Sequence, residues 1–376
     1  LPFLEAIRQF QFENKEHCLH LHLTLVPYLN SSGEFKTKPT QHSIKELRSI
    51  GIHADLIICR SEKNFSNDIK SKIALFCDVK SDEVIMCPDA ESIYEVPINL
   101  KKESTDKIVL KKLNLKQSKT DLKSWTNYIK IFKQKNKKEV NIGIVGKYTA
   151  LSDSYLSVTE AIKHAANKNK CHCNIIWINS EKLEKNKSNS LIKTCDGLLI
   201  PGGFGDRGIN GKIQAAKYAR ESQIPYFGLC LGMHIAVIEF AKNVLKLEDA
   251  HSTEFHPKAK SPVIDILAQQ KKINKKGGTM RLGSYPCIIE NQTNLYNAYQ
   301  KYEINERHRH RYEFNMKYKT LFEENGMIFS GLSPDKKLVE VIELKNHPWF
   351  VGCQFHPEFK SRPYKPHPLF SEFIKT

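Results

Sequence analysis

The sequence predicts an α/β protein of two domains, and three observations predict it. The chain has 376 residues, more than one hydrophobic core usually serves. Short apolar runs alternate with helical patterns along most of its length. Glycines crowd two junctions where a run ends, in LLIPGGFG and FGLCLG, and a turn there needs residues without a Cβ. Strands buried on both faces and separated by helices imply a doubly covered, mostly parallel sheet.

The opening LPFLEAIRQFQF reads as a helix already under way, with Phe3, Ala6, Ile7 and Phe10 on one face and no initiating Met, as though the chain started inside a domain. LHLTLVPYL follows as an extended run, NSSGEFKTKPTQ as a turn-rich loop, SIKELRSIG as a helix and DLIICR as a strand. VIMC and SIYEVPINL lead into the lysine-rich stretch Lys101 to Lys138, read as a solvated linker helix rather than a phosphate-binding arm. The boundaries are set at 1–110 for a first, incomplete domain, 111–139 for the linker and 140–376 for the second domain. In the second the expected order is strand VNIGIVG, a helix from about Asp153, strands NIIWIN and DGLLIPGG, helix GKIQAAKYAR, strand IPYFGLC, helix LGMHIAVIEFAKNV, and finally the strands LVEVIEL and WFVGCQF.

Composition excludes several classes. Of all residues 40% are hydrophobic and 26% charged, which suits a folded globular chain and not a disordered one. No run nears the roughly 18 apolar residues of a membrane span, so a cytoplasmic protein without membrane contact is expected. Ten scattered cysteines suggest reduced thiols, one of which can serve as a nucleophile. The net charge of +17 suits nucleic acid, a membrane surface or an anionic small substrate, and charge alone does not choose among them; no nucleic-acid partner is expected.

Cys230 ends a strand-like run and starts a helical one, between Gly228 and Gly232. That is the context of a nucleophile elbow, with the sulfur at a helix N-terminus that favours an anion. His356 and Glu358 end WFVGCQFHPEF; residues two apart in an extended chain point the same way, so the carboxylate can orient the imidazole. Taken alone, Cys230 could be a core cysteine and His-Pro-Glu a surface turn. PGGFG offers backbone donors for an oxyanion, Gly203 together with Leu231. A phosphate loop is rejected there: five residues separate Gly205 from Gly211 where four are needed, and Ile213 stands in place of Ser or Thr.

PGGFG, GLCLG and HPE in this order resemble a class I glutamine amidotransferase domain over roughly 140 to 376. Within that class HSTEF (His251 to Phe255), GGTMRLG (Gly277 to Gly283), ERHRHRYE (Glu306 to Glu313), KTKPTQHS and IALFC resemble the CTP synthase family. The resemblance implies Cys230 as nucleophile, His356 as base and Glu358 as its orienter. It implies glutamine contacts at Gly203, Leu231, Gly232, Met233, His234, Glu254, Arg311 and Tyr312, UTP/CTP contacts at Lys36, Lys38, Gln41 and Lys72, and ATP contacts at Pro88, Asp89 and Ala90. Two departures stand out, His234 where the family usually has Gln and Pro88 where it usually has Lys. ATP and Mg²⁺ are expected for the family reaction, GTP as its activator, glutamine and UTP as substrates and a homo-oligomer, with a tetramer as in the family, as assembly. Nothing resembles the family's ATP phosphate loop or Mg²⁺ carboxylates, so no metal ligands are expected in this chain, which is read as holding the glutaminase half and only part of the synthase half. The alternatives are a stand-alone glutaminase and a silent nucleotide-binding subunit.

Overall fold

A computed structural model describes residues 2–118, 120–149, 151–185, 189–266 and 280–376. The chain divides into two compact units, Leu1–Lys130 and Ile131–Thr376. Among the described residues no helix is long and apolar enough to cross a membrane.

In the first unit the parallel strands β1 (Leu21–Leu25), β2 (Leu56–Ser61) and β3 (Val84–Pro88) pair in that order. The helices Lys38–Ser49 and Asn67–Cys77 bring Ile44, Ile73 and Cys77 to a small core with Ile57 and Val84. Pro39 sits in the first turn of its helix, where a missing N–H costs nothing. The lysine-rich stretch departs from the single linker helix expected. It folds as Thr105–Lys112 and Lys123–Phe132, after a helix Val96–Lys102. The Trp125 indole donates to the Tyr94 carbonyl at 2.6 Å, and Tyr128 is buried. Lysines here hold carboxylates, Lys112 on Glu83 at 2.6 Å and Lys101 on Asp106, so apolar residues at helical spacing pack while the charges pair.

The second unit is built on a nine-stranded sheet. Its parallel half contains β4 (Lys138–Gly146), β5 (Cys171–Asn179), β6 (Gly197–Ile200) and β7 (Tyr226–Leu229). Further along come the short strands β8 (Ala250–Ser252) and β9 (Ser261–Ile266), then β10 (Arg281–Ile289), β11 (Glu303–His310), β12 (Tyr312–Phe314), β13 (Met327–Leu332), β14 (Val339–Leu344) and β15 (Phe350–Cys353). The order across the large sheet is β11-β10-β13-β14-β15-β7-β6-β4-β5, parallel from β15 to β5 and antiparallel from β11 to β15. Strands β8, β9 and β12 form a separate small sheet. Apart from the returning strands β14 and β15, this antiparallel part was not foreseen.

Alternation along each strand feeds two cores. Leu198 and Ile200 pack with Ala215, Ala216 and Ile235 from the helices Ile209–Ser222 and Leu231–Asn243. Leu199, Phe227 and Val351 face the other way, toward Ala161 and Phe370 from the helices Leu156–Lys168 and Pro368–Lys375. The sheet is thus covered on both faces, and its strand ends carry the chemistry. The helix expected from about Asp153 begins at Leu156, after a 3-10 turn.

Candidate active site

Cys230 follows β7 directly and caps the Leu231–Asn243 helix with φ 50° and ψ −98°. A side-chain-bearing residue rarely sits there, at a cost on the order of 1–3 kcal/mol, and such strain clusters at working sites. Its neighbours must be small. A Cβ on Gly228 would lie 2.6 Å from the Gly232 carbonyl carbon, and one on Gly232 would lie 2.3 Å from the Ile200 oxygen. The Cys230 N–H donates to the Cys353 carbonyl at 2.7 Å, tying the elbow to the adjacent strand.

Past that adjacent strand comes the expected base. His356 Nδ1 lies 2.8 Å from Glu358 Oε1, leaving Nε2 for the sulfur. Burial by itself lowers the His356 pKa, but hydrogen bonds to Cys230 and Glu358, with the charges of both, carry it up to about 10. The reason given above for this pairing needs correction. The chain after His356 is not extended; Pro357–Lys360 is a 3-10 turn, and His356 itself has ψ 80°. The turn folds the carboxylate back onto the ring.

Gly202 shows how close the parts lie, since a Cβ on it would meet His356 Cε1 at 2.8 Å. A cavity of about 360 Å³ opens beside the sulfur, lined by Gly203, Leu231, His234, Glu254, Arg311 and Tyr312 among others. Six of the eight expected glutamine contacts therefore share one cavity. The other two do not line it: Met233 is fully buried, and its backbone lies beneath Gly352, while the Gly232 carbonyl accepts from the Tyr226 hydroxyl at 2.8 Å. Burial raises the Glu254 carboxyl, and the Gly205 backbone, Lys147 and Lys212 oppose the rise. Of GGTMRLG, Gly277 to Thr279 fall outside the described residues.

Three groups near the site escaped the sequence reading. Gln354 is fully buried, with its amide nitrogen 3.8 Å from the Cys230 sulfur; its place two residues before His356 was the available signal. His310 lines the cavity and lies 2.9 Å from His308. Arg281 is held by Glu340 at 2.6 Å and Glu313 at 3.4 Å, a buried cluster joining β10, β14 and the residues after β11. No spacing rule links positions so far apart.

In the first unit, Lys36 pairs with Glu34 at 2.7 Å, and Lys72 from the Asn67–Cys77 helix also acts on that carboxylate. Lys38 opens its helix, and the Gln41 amide donates to Thr37 at 3.2 Å. Pro88 closes β3, Asp89 pairs with Arg60 at 2.9 Å and Ala90 follows. Pro88 stands at a strand C-terminus and the Lys36 loop, Asp89 and Ala90 lie past such ends, where parallel sheets collect ligands.

A doubly covered sheet with a cysteine elbow, a His-Glu pair just past the neighbouring strand and glycine-rich backbone beside the sulfur defines a class I glutamine amidotransferase domain. Residues 150–376 match the family model for glutamine amidotransferase class-I, and residues 1–115 that for the CTP synthase N-terminus. The CTP synthase of Clostridium kluyveri is 56% identical over 100% of this chain and 70% of its own length, and that of Aquifex aeolicus 53% identical over the same shares. The Trypanosoma brucei CTPS glutaminase domain with bound acivicin matches with a TM-score of 0.59 at 37% identity, over 62% of this chain and 92% of that one. The chain belongs to the CTP synthase family. Both family models find a match in it, and it spans about 70% of the length of these relatives.

Proposed function

We propose that Cys230, His356 and Glu358 release ammonia from glutamine for the family's ATP-dependent amination of UTP to CTP. The observation that carries the assignment is the 2.8 Å contact of Glu358 with His356, which leaves the other ring nitrogen to the elbow cysteine. The sulfur attacks the side-chain amide carbon, and the oxygen charge that develops is met by backbone N–H groups at Gly203 and Leu231. The imidazolium gives its proton to the departing nitrogen, ammonia leaves, and water cleaves the thioester to glutamate. Glu254 suits the substrate ammonium and Arg311 its carboxylate.

Lys36, Lys38, Gln41 and Lys72 are proposed to meet the UTP or CTP phosphates, which compact lysine charges suit. Asp89 and Ala90 are proposed at ATP, with Pro88 lacking the charge of the family's lysine. GTP activation, a homo-oligomeric assembly and a cytoplasmic location are proposed on the family's behaviour. Mg²⁺ is proposed to accompany ATP on the family's behaviour, held mainly by the nucleotide phosphates; among the described residues no three His, Cys, Asp or Glu side chains converge to hold a metal.

The test is Cys230→Ala. Glutamine-dependent CTP formation should fall by at least about a thousandfold while ammonia-dependent formation persists. Glutamine hydrolysis above about a tenth of the parent rate would refute the nucleophile assignment.

A further inference from the structure

Beneath the nucleophile lies a chain of two buried side chains that the mechanism above does not use. Gln354 follows β15 and is fully buried; His234 lies on the first turn of the helix that Cys230 caps and is 3% exposed. His234 Nε2 is 2.9 Å from Gln354 Oε1, and Gln354 Nε2 is 3.8 Å from the Cys230 sulfur. Direction follows from chemistry. The amide oxygen can only accept, so the imidazole donates through Nε2, and the opposite end of the amide presents N–H to the sulfur. Turned over, Gln354 would set a carbonyl oxygen against a sulfur that must carry negative charge.

We infer that Gln354 donates a hydrogen bond to the Cys230 thiolate and that His234 is the positioning residue that keeps its amide turned that way. This rests on Cys230 being the nucleophile. A buried anion without donors is costly, and a hydrogen bond to a charged group is stronger than one between neutral groups. His356 supplies one partner from one side, and Gln354 supplies a second that gives up no proton during the reaction.

The replacement of the family's usual glutamine by His234 fits this arrangement. Burial pushes His234 down to about 4, so it stays neutral and donates from one nitrogen. A glutamine there can donate equally well through its amide. The groups facing this chain are His310 and the Tyr312 backbone beside His234, with Arg311 and Glu254 around the cavity, and His356 and Glu358 at the sulfur.

The experiment measures alkylation of Cys230 by iodoacetamide as a function of pH, quantified on its peptide by mass spectrometry, beside kcat and KM for glutamine. Parent enzyme is compared with Gln354→Met, His234→Met and His234→Gln; methionine fills similar space without a donor. Both methionine variants should alkylate on the order of tenfold more slowly at neutral pH, with the curve displaced to higher pH. kcat should fall in both, and His234→Gln, which keeps an amide donor, should alkylate severalfold faster than His234→Met. If Gln354→Met loses its cooperative melt, the His234→Met and His234→Gln pair decides alone. Unchanged pH curves in the methionine variants, or a His234→Gln variant as slow as His234→Met, would overturn the inference. Alkylation of Cys230 that leaves glutamine hydrolysis intact would overturn the nucleophile assignment instead.

Discussion

The two units hold their candidate groups in opposite ways. In the second, Glu358, His234 and Gln354 are buried and each is held by a named partner within hydrogen-bonding reach. In the first, Lys36 pairs with Glu34 across side chains that are 40% and 63% exposed, and Lys38 and Lys72 lie open to solvent. Covalent chemistry requires reacting atoms placed to within a fraction of an ångström. Phosphate recognition by lysine requires only charge within reach. Rigidity therefore follows the reaction, and the same substitution should cost differently in the two units.

The sharpest test of that contrast is Glu358→Gln. It keeps shape but removes the charge that orients His356, and glutamine hydrolysis should drop by a factor on the order of 10³ with little change in melting; a drop under about tenfold would mean the turn itself holds the ring. Arg281→Met comes next. It strands Glu313 and Glu340, whose carboxyls burial already raises, and urea unfolding of the second unit should lose about 3–5 kcal/mol. Stability equal to the parent's would show that the two acids are neutral as a pair and need no cation.

A smaller effect is expected with acid. His164, packed on Ser361 at 3.0 Å, is lowered by burial to about 4. Its unfolded form takes a proton below its ordinary value of 6.5, where the folded form does not. Stability is therefore lost as pH falls from 6.5 toward 4, and His164→Gln should make this slope shallower; an identical slope would show that other groups set it. The smallest structural effect belongs to the first unit. Lys36→Ala and Lys72→Ala should change stability by under about 1 kcal/mol while raising KM for UTP several-fold. A large loss of melting temperature in either would erase the contrast between the units.

Much of the second unit was legible because its signals are local. Strand, elbow and helix around Cys230 lie within a dozen residues, and Gly228 and Gly232 announce the close packing that the backbone then requires. His356 and Glu358 were legible as a pair, although the 3-10 turn joining them was not. The antiparallel half of the sheet went unread because its contacts are distant: Arg281 meets Glu340 only after β10, β13 and β14 have paired. Gln354 was missed although it stands two residues before His356, because nothing in the sequence shows that His234 lies beside it. In the lysine-rich stretch the charges hid the buried face of Tyr128 and Ile129.

Cys230 and His356, the proposed nucleophile and base, follow neighbouring strands, β7 and β15, paired in the register Leu229↔Cys353. They are neighbours in space but far apart in the order of synthesis. Chain growth at about 5–20 residues per second completes the elbow first, and well over a hundred residues must follow before His356 emerges. On the proposed assignment, a ribosome-bound chain that already displays Cys230 lacks its base and should not yet hydrolyse glutamine. On that assignment the elbow stays without its base until the residues that follow β15 have been made.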